Sequence, residues 1–219
     1  MNTKKLISQE IQPLSLESTG SEALSTMLEF HISHLAVVEK GTVLGVISEE
    51  DIWNMYDENN KIKTIADKIR PLFMPIGKDV FEIIKYMNEK NLTLLPILVD
   101  TKFKGVITHK SVIEALASIE AIRESGGVIV LEMNKKDYSM SEISQIIEGN
   151  NAKILSSYVI DVDEKSIMKL TIKLNVLDIA PIIQTLERYK YTITASFNYS
   201  ENNDDLSDRY DMLMRYLNP

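Results

Sequence analysis

Apolar and polar positions in the first 120 residues follow one arrangement twice. Residues 21–30, SEALSTMLEF, set Ala23, Leu24, Met27 and Leu28 at helical spacing. Residues 78–87, KDVFEIIKYM, do the same with Val80, Ile83, Ile84 and Met87. Both patterns predict an amphipathic helix. A hairpin follows each. HLAVVEKGT, 34–42, predicts a strand, a Lys40-Gly41 turn and a second strand entering Gly45. LLPILVDTKFK, 94–104, predicts strand, turn and strand again. Each second strand runs into a near-duplicate stretch, GVISEEDI at 45–52 and GVITHKSV at 105–112. Short helical segments follow, EDIWNMY and SVIEALASIEAI. The unit is therefore helix, strand, strand, helix, preceded by an extended lead such as IQPLSLE, and it occurs twice.

The pattern changes after ESGG at 124–127. GVIVLEM, 127–133, predicts a buried strand, and MSEISQIIEGNN a helix with Ile143, Ile146 and Ile147 on its apolar face. Ser139 or Ser141 offers a cap and Gly149-Asn150-Asn151 a stop. KILSSYVID and SIMKLTIKL predict two strands around a turn at 162–165. DIAPIIQTLERY predicts a second helix with Pro181 in its first turn, where proline is tolerated, and YTITASFNYS a last strand. The order βαββαβ is a ferredoxin-like plan. The tail DLSDRYDMLMRYL sets Leu206, Tyr210, Leu213 and Leu217 on one side. Its mixed, acidic polar side fits packing on its own sheet or on a partner subunit better than on a membrane.

The whole is an α/β (α+β) chain of two domains. Residues 1–122 hold the two repeats (about 7–60 and 61–122), and residues 123–219 hold the second domain.

Composition narrows what such a chain can do. The formal charge of −8 is spread over both halves, so no basic surface is expected for nucleic acid or an anionic membrane. The chain has no cysteine, hence no disulfide, thiol nucleophile or thiolate metal site. MNTKKLISQE lacks the apolar stretch of a secretory signal. No apolar run is long enough to cross a membrane, and a cytoplasmic location is expected. His31 and His34 lie three apart without an acidic ligand motif, so no metal site is assigned. No catalytic motif is found, and no catalytic residue is assigned.

The duplicated stretch carries the candidate chemistry. Ser48-Glu49-Glu50-Asp51 matches the S-x-x-acid start of a helix, where a hydroxyl caps backbone N–H groups. Thr108 can do the same in the second unit. A helix start also presents free N–H groups suited to phosphate. Asp51, one turn in, can accept two hydroxyl hydrogen bonds, as from ribose.

The repeat resembles a pair of CBS domains, a tandem module that often binds adenosine ligands. In that family the G-h-h-[ST]-x-x-D stretch supplies a hydroxyl for phosphate or ribose and an aspartate for the ribose hydroxyls. The resemblance implies Ser48 and Asp51 in the first repeat and Thr108 in the second, where Ser111 stands in place of the aspartate. It also implies base contacts from the strand leading into a Pro-Val pair. Leu94-Leu95-Pro96-Ile97 matches that strand, whereas Leu35-Ala36-Val37 lacks the proline. The resulting ligand set is Ser48, Asp51, Thr108, Ser111, Leu35, Leu95 and Pro96, with His34 and His109 as the nearest basic groups.

Residues 126–200 resemble an ACT domain, which binds small effectors at the loop after its first strand. Here that loop, 134–138, has no glycine to let a ligand approach the backbone. The combination is similar to bacterial proteins of acetoin-utilisation type. It implies a non-catalytic regulator that requires no cofactor and binds AMP, ADP, ATP or S-adenosylmethionine. Its expected partners are a second copy, as a homodimer or higher even oligomer, and an unknown protein. The alternatives are a nucleotide-free dimeric scaffold, an amino-acid sensor acting through the second domain and, third, an enzyme of unknown class.

Overall fold

The computed structural model describes residues 3–161 and 166–197, so the turn at 162–165 and the amphipathic tail lie outside the described residues. The chain divides into two compact units, Met1–Ala117 and Ser118–Pro219.

In the first unit each repeat builds an outer helix, a hairpin and a shorter helix. The first repeat gives α1 (Gly20–Phe30), β1 (His34–Glu39), β2 (Thr42–Ser48) and α2 (Glu49–Trp53). The second gives β3 (Met74–Pro75), α3 (Val80–Glu89), β4 (Leu94–Val99), β5 (Lys102–Thr108) and α4 (His109–Ala117). Thr19 and Glu22 close a capping box at the start of α1, and Asp79 caps α3. As the periodicity predicts, Ala23 and Met27 of α1 and Val80, Ile83 and Met87 of α3 are buried. Leu28 is the exception. It lies at the edge of the predicted stripe and is 76% exposed.

The five strands run in the order β1-β2-β5-β4-β3. The inner strands β2 and β5 pair only at Thr42 and Lys102. Beyond that point the extended leads come in, each crossing to the other repeat. Ser8 of the first lead exchanges both backbone hydrogen bonds with Val106 of β5, at 2.8 and 3.0 Å. Arg70 of the second lead exchanges both with Val46 of β2, at 2.8 and 2.9 Å. Each lead then turns back to its own repeat, with Leu14 beside Val37 of β1 and Met74 beside Ile97 of β4, both parallel.

This crossing explains the glycine that opens each duplicated stretch. A Cβ on Gly45 would stand 2.0 Å from the Arg70 carbonyl oxygen, and one on Gly105 2.5 Å from that of Ser8. Both glycines have φ of 151°. The cores interleave in the same way. Val106 and Leu94 pack in the cluster of the first repeat, and Leu6 and Val46 in that of the second.

The second unit follows the expected order: α5 (Glu120–Arg123), β6 (Val128–Asn134), α6 (Met140–Gly149), β7 (Ile154–Asp161), β8 (Ile167–Leu174), α7 (Ala180–Arg188) and β9 (Thr192–Phe197). The helical pattern SVIEALASIEAI is broken into α4 and α5, and α5 packs against β7. The four-stranded antiparallel sheet has the order β7-β8-β6-β9. Ile129, Leu131 and Met133 of β6 pack with Ile143, Ile146 and Ile147 of α6 and Ile182 and Leu186 of α7.

Candidate functional site: two clefts of unequal chemistry

The two strand-to-helix junctions each open onto a cleft, and each cleft borrows from the other repeat. The first, of about 400 Å³, is lined by Ser33, His34, Ser48, Glu49, Glu50, Asp51, Arg70 and Asn91. Arg70 is brought there by the lead that crosses onto β2, and Asn91 comes from the end of α3. The second, of about 570 Å³, joins Thr108, His109 and Ser111 to Ser8, Glu10 and Ile11 of the first lead and to the end of α1.

At the first junction the Ser48 hydroxyl is engaged with Asp51. Ser48 Oγ accepts from the Asp51 N–H at 3.2 Å, and Asp51 Oδ2 accepts from the Ser48 N–H at 3.0 Å. The Ser48 hydroxyl also donates to Oδ2, at 2.5 Å. This is a complete capping box. It uses one carboxylate oxygen of Asp51 and leaves Oδ1 without a partner among the described residues. At the second junction Ser111 takes the aspartate's place with neutral groups. Thr108 N–H donates to Ser111 Oγ at 3.2 Å, Ser111 N–H to Thr108 Oγ1 at 3.1 Å, and the Ser111 hydroxyl to the Thr108 carbonyl at 2.9 Å.

The expected row of free amides is not met at either helix start. In α2 the Glu49 N–H donates to Ser33 O at 3.0 Å and the Asp51 N–H is capped. In α4 the His109 N–H donates to Thr93 O at 3.0 Å and the Ser111 N–H is capped. Two of the three first-turn amides are therefore taken at each, and α2 adds Glu49, Glu50 and Asp51 in its first turn. A phosphate in the first cleft needs a cation from elsewhere.

His34 does not supply it. The ring is buried, and Nδ1 receives the Thr93 N–H at 3.4 Å and lies 3.1 Å from Thr93 Oγ1. Because Nδ1 already accepts the Thr93 N–H, the Thr93 hydroxyl is the donor of the second contact, while its oxygen accepts from the Ser33 N–H at 2.9 Å. Nδ1 is thus the acceptor and Nε2 carries the proton. Burial first, and the Arg70 charge second, hold the pKa down to about 4 against the opposing pull of Asp51. His34 is a neutral hydrogen-bond donor in this cleft. His109, exposed, faces the Thr93 carbonyl through Nδ1 at 3.1 Å, which makes that nitrogen the donor.

Arg70 is the group that sequence reasoning missed. Its Nε is buried without a hydrogen-bond partner among the described residues, which is costly for a charged donor. The second cleft has no such residue; Ser8 occupies the matching point of its lead, and Glu10, Glu29 and Glu114 line the walls with Lys110 as the one fixed cation. Leu35, Leu95 and Pro96 are not brought to either cleft: all three are buried, Leu35 and Leu95 within the two core clusters.

The family model for the CBS domain matches residues 4–52 and 62–118. Residues 4–118 are a tandem pair of CBS domains. Among solved structures with a likeness to the CBS pair is a CBS domain pair/ACT domain protein from Thermotoga maritima. It is 22% identical, over 53% of this chain and 96% of that one, with a TM-score of 0.47. CBSX2 in complex with AMP is 19% identical over 54% of this chain and 98% of its own, with a TM-score of 0.44. The CBS domain of a bacterial CNNM/CorC family Mg2+ transporter, in complex with ATP, is 19% identical over 53% and 87%, with a TM-score of 0.44. Each likeness covers about half of this chain.

In the second unit the loop after β6 closes as a 3-10 turn over Lys135–Asp137, and Lys135 N–H donates to Ser166 O at 2.8 Å. Among the described residues no helix is long and apolar enough to cross a membrane, and no cluster of three or more His, Asp or Glu side chains is placed to hold a metal.

Proposed function

We propose that the CBS pair binds one adenosine-containing ligand per chain, in the cleft of Ser48, Asp51 and Arg70, and that the protein acts as a non-catalytic regulator. The observation that carries this reading is the meeting of Arg70 with Asp51 across the two repeats. A guanidinium suits phosphate through paired, charge-assisted hydrogen bonds. The free oxygen of Asp51 suits a ribose hydroxyl, and the Nε2–H of His34 adds a neutral donor. The second cleft, with Ser111 for the aspartate and Ser8 for the arginine, is read as the weaker of the two. The ligand is AMP, ADP, ATP or S-adenosylmethionine, and its binding shifts an equilibrium only by its differential affinity for two states. Around this we set the rest of the reading. The second domain, residues 123–219, is ACT-like, the chain works in the cytoplasm as a homodimer or higher even oligomer, and the architecture is of acetoin-utilisation type.

Titration calorimetry with the four ligands tests the proposal. One site per chain is expected, with loss of affinity in Arg70→Ala for the phosphorylated ligands. Two equivalent sites, or heat from none of the four, would overturn it.

A ligand-free interaction module is the second reading. It is favoured by capping boxes that are complete without any ligand and by exposed Trp53, Tyr56 and Phe81 on the same unit. A melting temperature indifferent to all four ligands, with a stable oligomer by light scattering, would select it.

A further inference from the structure

Three carboxylates and one cation line the first cleft. Glu49, Glu50 and Asp51 form the first turn of α2, and Arg70 comes from the crossing lead. With His34 neutral, three acids against one guanidinium leave the lining negative. Asp51 is held in the Ser48 cap. The side chains of Glu49 and Glu50 have no hydrogen bond or ion pair among the described residues, and Arg70 forms an ion pair with none of the three acids. Its guanidinium stays open to a ligand. The volume of about 400 Å³ lies near the lower end of the roughly 300–1,000 Å³ of small-molecule sites.

We propose that Glu49 and Glu50 set the number of anionic groups the ligand can carry: the cleft takes an adenosine ligand with one such group and turns away the di- and triphosphates. The proposal rests on the reading of this cleft as an adenosine site and names which ligands of that class fit it. One guanidinium presents its paired N–H donors to one phosphate or one carboxylate. A second and a third phosphate meet no further cation on the lining, and two of the three first-turn amides of α2 are already taken. They bring more negative charge beside two unpaired carboxylates, in a cleft where like charges are screened less than in open water. AMP carries one phosphate and S-adenosylmethionine one carboxylate, and the sulfonium and ammonium of the latter also suit an acidic wall. ADP and ATP exceed the single cation.

Titration calorimetry of the full-length chain with AMP, S-adenosylmethionine and ATP, at low salt and with a chelator to remove divalent cations, tests this. ATP should bind at least about tenfold more weakly than the tighter of the other two. In the double variant Glu49→Gln, Glu50→Gln that ratio should narrow by about fivefold or more, chiefly through tighter ATP binding. Glu50→Gln alone, at the exposed member of the pair, should narrow it by about twofold and serves if the double variant does not fold. Raised salt should narrow it in the parent protein too. ATP bound as tightly as the other two, a ratio unmoved by these substitutions, or one moved only by Glu10→Gln with Glu29→Gln in the second cleft would overturn the proposal while leaving adenosine binding in place. Heat from none of the three ligands would instead overturn the adenosine reading, and the proposal with it.

Discussion

Thr93 directs its hydroxyl at Nδ1 of His34 across 3.1 Å, and in doing so fixes the ring as a neutral donor into the first cleft. The same residue gives its carbonyl to the backbone and ring of His109. One residue in the second repeat therefore orients histidines at both junctions, His34 through its hydroxyl and His109 through its carbonyl.

The buried neutral His34 should make stability fall with acid. Its folded pKa, about 4, lies below its ordinary 6.5. The unfolded chain therefore takes up the proton first, and the contribution is full above pH 6.5 and lost as pH falls toward 4. The whole contribution is about 3 kcal/mol. His34→Leu, copying Leu94 at the matching point of β4, should flatten urea-denaturation stability between pH 6.5 and 4.5 relative to the parent protein. The other two histidines are common to both proteins, so equal slopes would refute the assignment.

Asp51 serves two ends, a cap and a ligand contact, and Asp51→Ser separates them. The substitution copies the neutral cap of Ser111, so the melting temperature should change little. Affinity for the adenosine ligand should drop by about ten- to a hundredfold, because a charge-assisted acceptor is lost. Ser111→Ala should leave affinity nearly unchanged. Calorimetry and thermal melts on the two variants read both quantities.

Arg70→Ala should discriminate among ligands. Affinity for AMP, ADP and ATP should fall by about tenfold or more, while adenosine should bind as before, since only the phosphate loses a partner. Parallel losses for adenosine and its phosphates would mean that Arg70 only shapes the cleft.

Gly45→Ala and Gly41→Ala should differ sharply in stability. A Cβ at position 45 meets the Arg70 carbonyl at 2.0 Å, so the crossing lead must shift, a loss of several kcal/mol. Gly41 has φ of 82° but nothing within 4 Å, so only the local conformational cost of about 1 kcal/mol applies. Denaturant unfolding of both variants would show the gap, and similar losses would count against the crossing.

The repeat, its hairpins and the order of the second unit were legible because each rests on a short-range period. Val80, Ile83 and Met87 face the core because three- and four-residue steps bring them to one side of a helix. Ile129, Leu131 and Met133 do so because alternate strand residues share a face. Leu28 was misplaced because spacing alone does not say how wide the covered stripe is. The break between α4 and α5 carries no glycine or proline to announce it. Arg70 was illegible for a different reason. It sits in a lead with no period, and its place beside Ser48 follows from a pairing with the other repeat. The Ser48–Asp51 cap was readable from four adjacent residues. The single arginine completing its cleft was readable only from the crossing.

That crossing also sets an order of events. Arg70 pairs with Val46 over a modest stretch of chain, whereas Ser8 must find Val106, on a strand made almost at the end of the unit. Contacts between distant residues carry the larger closure entropy and slow folding. During synthesis the last lining residue of the first cleft, Asn91, emerges well before β5, and Thr93, which orients its histidine, follows two residues later. The first lead, made earliest, waits longest for its partner. The Ser111 cleft is therefore the last part of the pair to close, and the first ten residues are the ones most exposed to mispairing until it does.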